Sequence, residues 1–398
     1  MPELLRIDGV AVGGDGVARE ASGRVVFVEG ALPGEVVTAE VTAERRDYAR
    51  AVATGVVEPA PGRVSPPCPF VAEGCGGCGW QHASVATQRE LAVAMVTDAL
   101  VRFGGVEDPA VGPGPDLAAI GYRTTLRGVA DSGGRFALRR RHAHDLVAVP
   151  GCLVAHPLVA EVAAAGRFPP GAAVTIRAGA RTGDRLVVVD GAGAEDVRVP
   201  DGVRVVTGDE LDAGRRAWLF EEVAGTRLRV SARSFFQAGP EAAEALVAAV
   251  ISALGDGEGI SLADLYGGVG LFAATAGRGF DRVTVVESSA SSCADARVNL
   301  AGRPARVMQG DVGRWRPRRT DAVVADPPRS GLGRAGARVV AGTGAGALAL
   351  VSCDAGALGR DVALLRRHGY GLDTVTLVDA FPHTPHVEVV SGFTGYST

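Results

Sequence analysis

Six cysteines stand at positions 68, 75, 78, 152, 293 and 353 of this 398-residue chain, and their neighbours sort them into three kinds. Cys353 follows the apolar run Ala347-Leu-Ala-Leu-Val-Ser352 and precedes Asp354-Ala355-Gly356. That pattern predicts a thiol at the end of a buried strand, in an exposed turn where a helix begins near Gly356. Such a thiol is a nucleophile if a cation or helix N–H groups lower its pKa. Cys75-Gly-Gly-Cys78, with Cys68 seven residues before it, has the spacing of metal ligands. Four thiolates suit a tetrahedral zinc ion or an iron–sulfur cluster. Only three lie together, so a fourth must come from afar; Cys152, in the turn Pro150-Gly151-Cys152-Leu153, is best placed. Cys293 falls inside a helical pattern and reads as core.

Two further segments carry groups for binding. Asp264-Leu-Tyr-Gly-Gly-Val-Gly270 sits where a strand turns into a helix, and Glu287 ends the next strand, 19 residues after Gly268. Glycines there let backbone approach a ligand, and an acid at that place holds a ribose hydroxyl. This admits a nucleotide-type cofactor and does not separate NAD from S-adenosylmethionine. Asp326-Pro327-Pro328-Arg329 follows the apolar strand Ala322-Val-Val-Ala325, at the strand end where parallel sheets bind ligands.

The elements that position these residues fall into three stretches. Residues 1–60 read as short strands with glycine turns, a small β-barrel pattern. Residues 61–225 begin with a proline-rich linker and the cysteine cluster, continue with a helix over 84–103, and become short strands and turns, a mixed α+β central domain. From 226 to 398, strands alternate with helices (240–254, 290–300, 356–367), which predicts an α/β fold with a doubly wound parallel sheet. The last two strands should add an antiparallel edge.

At 47% apolar and 22% charged residues the chain can bury a core. No apolar run reaches the ~20 residues of a membrane span, and the first residues are too polar and acidic for a signal peptide, so a cytoplasmic protein is expected. In that compartment disulfides are not expected. The net charge of −4 argues mildly against nucleic acid, but its distribution says more. All 41 basic residues are Arg. Residues 118–150 hold six Arg against two Asp, and residues 301–340 hold nine Arg against three Asp. Arg forks suit phosphate and stack on bases, although any one cluster also fits a solvated face.

Together these motifs resemble the RNA uracil-5 methyltransferases, in the same order over most of the chain. The first stretch is similar to a TRAM RNA-binding domain. Cys68…Cys75-Gly-Gly-Cys78-Gly-Trp-Gln81-His82 resembles that family's iron–sulfur signature, with Cys152 at the place of the distant ligand. Ser234-Phe-Phe-Gln237, Asp264–Gly270, Val323–Arg329, Val351-Ser-Cys353 and His386-Val-Glu388 resemble its cofactor, nucleophile and base motifs. Departures include Ala238-Gly239 after the Phe-Gln motif and Asp354-Ala355 after the nucleophile, where Asn-Pro often stands.

The resemblance implies a Rossmann-like S-adenosylmethionine domain. Gln237, Tyr266, Glu287 and Asp326 would contact S-adenosylmethionine, with Cys353 as nucleophile and Glu388 as base. Cys68, Cys75, Cys78 and Cys152 would hold a 4Fe-4S cluster, with zinc as the alternative. The partner implied is RNA, ribosomal rather than transfer RNA because the simpler transfer-RNA enzymes usually lack the N-terminal domain and the cysteines; no membrane and no obligate protein partner are expected. Rival readings are the same reaction on transfer RNA, a catalytically silent RNA-binding iron–sulfur protein, and an amino-group methyltransferase.

Overall fold

A computed structural model describes residues 3–191, 193–255 and 259–395. Strands β1 (Glu3–Val10), β2 (Gly16–Arg19), β3 (Val25–Glu29), β4 (Val36–Glu44) and β5 (Tyr48–Glu58) close into a barrel in the order β1-β2-β3-β5-β4. Period-two alternation fills it: Leu5, Ile7, Val26, Val28, Val37, Ala39, Ala49 and Ala51 turn inward and form its core. The fully buried Glu35 ties the barrel to the linker, accepting from Leu32 N (2.8 Å), Ala60 N (3.2 Å) and Arg63 Nη2 (2.7 Å).

Helix α1 (Val85–Arg102) starts at Ser84, whose hydroxyl accepts from Thr87 N at 3.2 Å. Its buried Leu91, Met95, Ala99 and Leu100 join the core of the C-terminal sheet rather than that of the strands that follow it. Strand β6 (Gly112–Pro113) likewise pairs with that sheet's outer edge. The central region is then a six-stranded sheet of β7 (Thr125–Ala130), β8 (Phe136–Arg139), β9 (Leu146–Ala148), β10 (Ala173–Ala178), β11 (Arg185–Asp190) and β12 (Val203–Thr207), in the order β12-β11-β10-β7-β8-β9. Helices α2 (Pro157–Ala165) and α3 (Gly208–Asp212) and the hairpin β13 (Trp218–Val223) and β14 (Thr226–Ser231) complete it.

The C-terminal unit alternates α4 (Pro240–Ala253), β15 (Gly259–Leu265), α5 (Leu271–Ala274), β16 (Phe280–Glu287), α6 (Ala290–Asn299), β17 (Ala305–Gln309), β18 (Ala322–Ala325), α7 (Gly333–Thr343), β19 (Ala347–Ser352), α8 (Ala355–Arg367), β20 (Tyr370–Val378) and β21 (Glu388–Gly395). The strands order as β17-β16-β15-β18-β19-β21-β20-β6. The five from β17 to β19 are parallel, and β21 enters antiparallel between β19 and β20. The expected α/β fold with an antiparallel addition is therefore present. The middle strands read as continuous apolar runs because helices cover both faces: Val323, Val324, Leu348 and Leu350 are fully buried. Helix α7 was not expected from the sequence; its Gly-Arg-Ala-Gly start has no capping side chain. No helix among the described residues is long and apolar enough to cross a membrane.

Candidate active site

β19 and β21 run antiparallel with Ser352 opposite Val389, so one step further along the ladder sets Cys353 beside Glu388. Asp326 ends the neighbouring β18 and also faces the thiol. Glu388 is only 6% exposed, and Cys353 is half-buried. Burial first, then the carboxylates of Glu388 and Asp326, push the Cys353 thiol up to about 11, while Arg329 opposes them. Burial and Asp326 likewise lift Glu388 well above the usual carboxylate range, again against Arg329. Burial raises Asp326 to about 7.

Of the two sources that could lower the Cys353 pKa, a cation and helix N–H groups, the helix contributes little. α8 does begin beside Cys353, but the Asp354 side chain takes the Ala357 N–H at 2.7 Å, and desolvation with two carboxylates outweighs the donors that remain. The cation at the site is Arg329, whose guanidinium lies 3.4 Å from the His386 ring nitrogens. Sequence reasoning placed Arg329 in a motif and gave it no role. The available signal was that it is the one cation of a stiff Pro-Pro loop at a strand end.

Cys353 opens on a pocket of about 150 Å³ walled by Arg329, Pro385 and His386, by Met95 of α1, and by Val12 and Gly13 of the barrel. The barrel therefore contributes to the Cys353 pocket. Gly14 fixes that contact: it has φ +95°, its carbonyl accepts from Trp80 Nε1 at 3.0 Å, and a Cβ there would stand 2.4 Å from Pro385 Cβ. A wider cleft of about 540 Å³ shares Gly13, Pro385 and His386 with this pocket and runs past Phe27, Arg50, Gly77 and Arg141. Arg141 spans the cleft, donating to Glu29 of the barrel at 2.6 Å and to the Cys78 carbonyl at 2.8 Å.

The glycine loop after β15 forms the next crevice. Tyr266 has φ +59° and Gly268 φ +53°, and a Cβ on Gly267 would lie 2.7 Å from Val285 Cγ1. Glu287 closes the loop, accepting from Gly268 N at 3.0 Å and Ser289 N at 2.6 Å. Buried Gln237 donates to Asp326 at 3.5 Å; its segment is held by the Ser234 hydroxyl on Asp295 (2.7 Å). The Tyr266 ring reaches beneath α7, with its hydroxyl near Gly336. Asp264, the first residue of the motif, was not singled out from sequence. It is fully buried, accepts from Ala273 N at 3.0 Å through one oxygen, and its other oxygen has no partner among the described residues; burial lifts it to about 7. An orphaned buried oxygen beside a tight glycine loop fits a polar ligand that brings a donor.

Cys68, Cys75, Cys78 and Cys152 line one small cavity of about 40 Å³. Burial raises the thiols of Cys75, Cys78 and Cys152, Cys78 to about 11. Donors face the sulfurs: the Gly77 N–H at Cys75, the Gln81 side chain at Cys78, and the Val154 and Ala155 N–H groups at Cys152. The four residues are brought together as expected. Among the described residues, however, no three or more His, Cys, Asp or Glu side chains are gathered in the arrangement of a metal-ion site.

A closed barrel ahead of a doubly wound sheet, with a glycine crevice at the strand ends, is the layout of an enzyme with a nucleotide-type cofactor and an added barrel, and the comparisons with known proteins make it a methyltransferase that works on RNA. The TRAM domain family matches residues 4–54, the barrel. A Streptomyces coelicolor protein named as an uncharacterized RNA methyltransferase is 37% identical over 97% of this chain and 91% of its own length. A 23S rRNA (uracil(1939)-C(5))-methyltransferase of Alkalilimnicola ehrlichii is 30% identical over 98% of this chain and 96% of its own. The crystal structure of Pyrococcus abyssi tRNA (uracil-54, C5)-methyltransferase with S-adenosyl-L-homocysteine superposes with a TM-score of 0.76, covering 98% of this chain and 99% of that one, at 22% identity. The chain belongs to the RNA uracil-5 methyltransferase family.

Proposed function

We propose that the protein methylates carbon 5 of a uridine in RNA, ribosomal RNA before transfer RNA, with S-adenosylmethionine as donor and a covalent bond between Cys353 and uracil carbon 6. The observation that carries this is the pairing of Cys353 with Glu388 across two strands, at a pocket that one extruded base can enter. Uracil carbon 5 is a poor nucleophile. Once the Cys353 thiol has given its proton to solvent through the open pocket, with Arg329 favouring the thiolate, its sulfur gives an electron pair to carbon 6, and the carbon 5–carbon 6 π pair moves toward the carbon 4 carbonyl. Carbon 5 becomes electron-rich and accepts a methyl group. S-adenosylmethionine, when bound, supplies that methyl as an electrophilic carbon on sulfur. The Glu388 carboxylate then takes the carbon 5 proton; the electron pair left behind re-forms the double bond and expels the Cys353 sulfur. The raised pKa of Glu388 makes it a stronger base than an exposed carboxylate, and Arg329 offsets the negative charge that both steps leave in the pocket.

Gln237, Tyr266, Glu287 and Asp326 surround the glycine crevice and are the residues assigned to S-adenosylmethionine. The unpartnered Asp264 oxygen is a further acceptor for a donor on that ligand. Cys68, Cys75, Cys78 and Cys152 are assigned to a 4Fe-4S cluster, supported by their shared cavity and the donors aimed at their sulfurs. The mechanism has no step for it; it staples the residues that line the RNA cleft. Ribosomal RNA is favoured by the cysteine cluster and by the 30% identity to the Alkalilimnicola ehrlichii enzyme over nearly the whole chain; the barrel does not discriminate, because the Pyrococcus abyssi transfer-RNA enzyme superposes over 98% of this chain.

The test is Glu388→Gln, which keeps size and removes the base. The expected result is protein joined through Cys353 to methylated RNA, stable on a denaturing gel and dependent on S-adenosylmethionine. Wild-type turnover with no shifted band removes Glu388 as base. Mapping 5-methyluridine in RNA from cells with and without the gene identifies the substrate RNA.

A further inference from the structure

The Arg-rich stretch 301–340 lies for the most part away from the site just described, and it leads to the opposite end of the same sheet. Register sets Ser261 beside Arg282 and Thr284 beside Arg306, on the sheet face that bears α7 and α8. Arg282 and Arg306 are exposed there. The connection from β17 to β18 contains one short 3-10 turn, Val312–Arg314, and then a strap, Trp315-Arg-Pro-Arg-Arg-Thr320.

The strap is anchored at alternate points. Trp315 packs on the core beside α7. Pro317 lies so close to α7 that a Cβ on Gly342 would stand 2.8 Å from its Cγ. The Thr320 hydroxyl donates to the Ser261 carbonyl at 2.9 Å, and Asp321 accepts from both the N–H and the hydroxyl of Ser261 at 2.8 Å. Between the anchors, Arg316, Arg318 and Arg319 point outward. With Arg282 and Arg306 they line a cleft of about 470 Å³. Among the described residues, none of the five guanidiniums has a carboxylate within ion-pair distance. Many other Arg of the chain are paired, such as Arg181 with Glu244 and Arg185 with Glu161. Five unpaired cations held in a row by a fixed strap repel one another unless something anionic lies across them.

We propose that this cleft is a second RNA site, which grips phosphates of the substrate RNA away from the base being methylated. It rests on the reading of RNA as substrate. Arg forks match phosphate oxygens, and five in a row along a strap and two strands suit a backbone rather than a single anion. Cys353 stands at the carboxyl ends of the strands and the cleft at their starts. A strand of six or seven residues separates the two by on the order of 20 Å. A short oligonucleotide seated at Cys353 cannot reach the cleft, whereas a folded RNA can.

The experiment uses the full chain with Arg306→Ser, Arg318→Ser and Arg319→Ser combined. The probes are a transcript of a ribosomal RNA domain and a short single-stranded oligouridine, each titrated over a range of salt. For the transcript, the variant is expected to bind at least about tenfold more weakly and to lose about 2 to 3 from the slope of log K against log salt. Oligouridine and S-adenosylhomocysteine binding should stay at wild-type values, which also certifies the fold. An unchanged transcript affinity and slope overturns the second site alone. Equal losses on both RNAs overturn it as well, in favour of a general charge effect, and so does displacement of the transcript by a free nucleoside triphosphate at equimolar amounts. Wild-type protein that binds neither RNA overturns the substrate reading beneath it.

Discussion

The molecule holds two buried cysteine environments, and they differ in what surrounds the sulfur. Burial lifts Cys78 and Cys353 alike to about 11. Around Cys78 stand three more thiols, the Gln81 side chain, apolar walls such as Leu126, Leu138 and Val149, and Arg123. Around Cys353 stand two carboxylates, one guanidinium and an open pocket. In the first environment two cations, Arg123 in the cavity wall and Arg141 beside Cys75, serve four thiols, so most of the positive charge needed to strip the protons would have to come with a bound metal. In the second a cation is built in as Arg329. Burial alone thus does not separate a structural thiol from a reactive one; the charges within reach do.

The sharpest break between the two is removal of sulfur. Cys353→Ala should abolish product and adduct, while the anaerobically purified protein stays brown with about four iron and four sulfide per chain. Cys75→Ala or Cys152→Ala should lose the colour and leave alkylation of Cys353 intact. Stoichiometric zinc with no visible absorption rejects the cluster. Next comes charge. Glu388→Gln should slow turnover by about 10²–10⁴-fold. The Glu388 carboxylate raises the Cys353 pKa and Arg329 lowers it. The midpoint of Cys353 alkylation against pH, followed by peptide mass spectrometry, should therefore move down in Glu388→Gln and up in Arg329→Gln. Shifts of the same sign would break the account of the pocket.

A smaller effect is expected at the cofactor crevice. Glu287 accepts one N–H of the loop it closes, from Gly268, and a second from Ser289 at the start of α6. Glu287→Ala should weaken S-adenosylhomocysteine by about tenfold, in line with the loss of hydrogen bonds to a charged group, and leave RNA binding unchanged. Calorimetric titration decides, and an unchanged dissociation constant removes Glu287 from the site. The mildest is Gly14→Ala. Strain at φ +95° and the contact with Pro385 should lower stability by about 1–3 kcal/mol and raise KM for RNA severalfold with kcat less affected. A changed kcat with an unchanged KM would place the barrel loop in the chemical step instead.

Legibility from sequence followed locality. Cys353 and Asp326 could be placed because each follows a buried apolar strand, whereas Glu388, the first residue of β21, was singled out only by the resemblance of His386-Val-Glu388 to a family motif. Most of the parallel strands and their helices were readable for the same reason. Helix α7 was not, since glycines at 333 and 336 and a start without a cap hide its period. β6 is two residues long and exists only as a partner of β20. The destination of α1 depended on a contact with α8, more than 250 residues later, that no local pattern encodes. Which of helix and cation acts on Cys353 was not legible, because the helix start was visible while the use Asp354 makes of it was not. The role of Arg329 needed the folded sheet to bring His386 and Glu388 to it.

Gly14 has one more consequence, and it concerns ancestry rather than chemistry. The barrel has its own core and reads as a separable module. Yet at Gly14 it meets Trp80 from the cysteine loop and Pro385 from the loop before Glu388, segments 66 and 371 residues away. Its neighbours Val12 and Gly13 are part of the nucleophile's pocket. A lineage that exchanged this barrel for another would inherit a breach beside Cys353. On the proposed mechanism, selection on the barrel's first turn is also selection on catalysis, and the two halves of the gene would change together at that point.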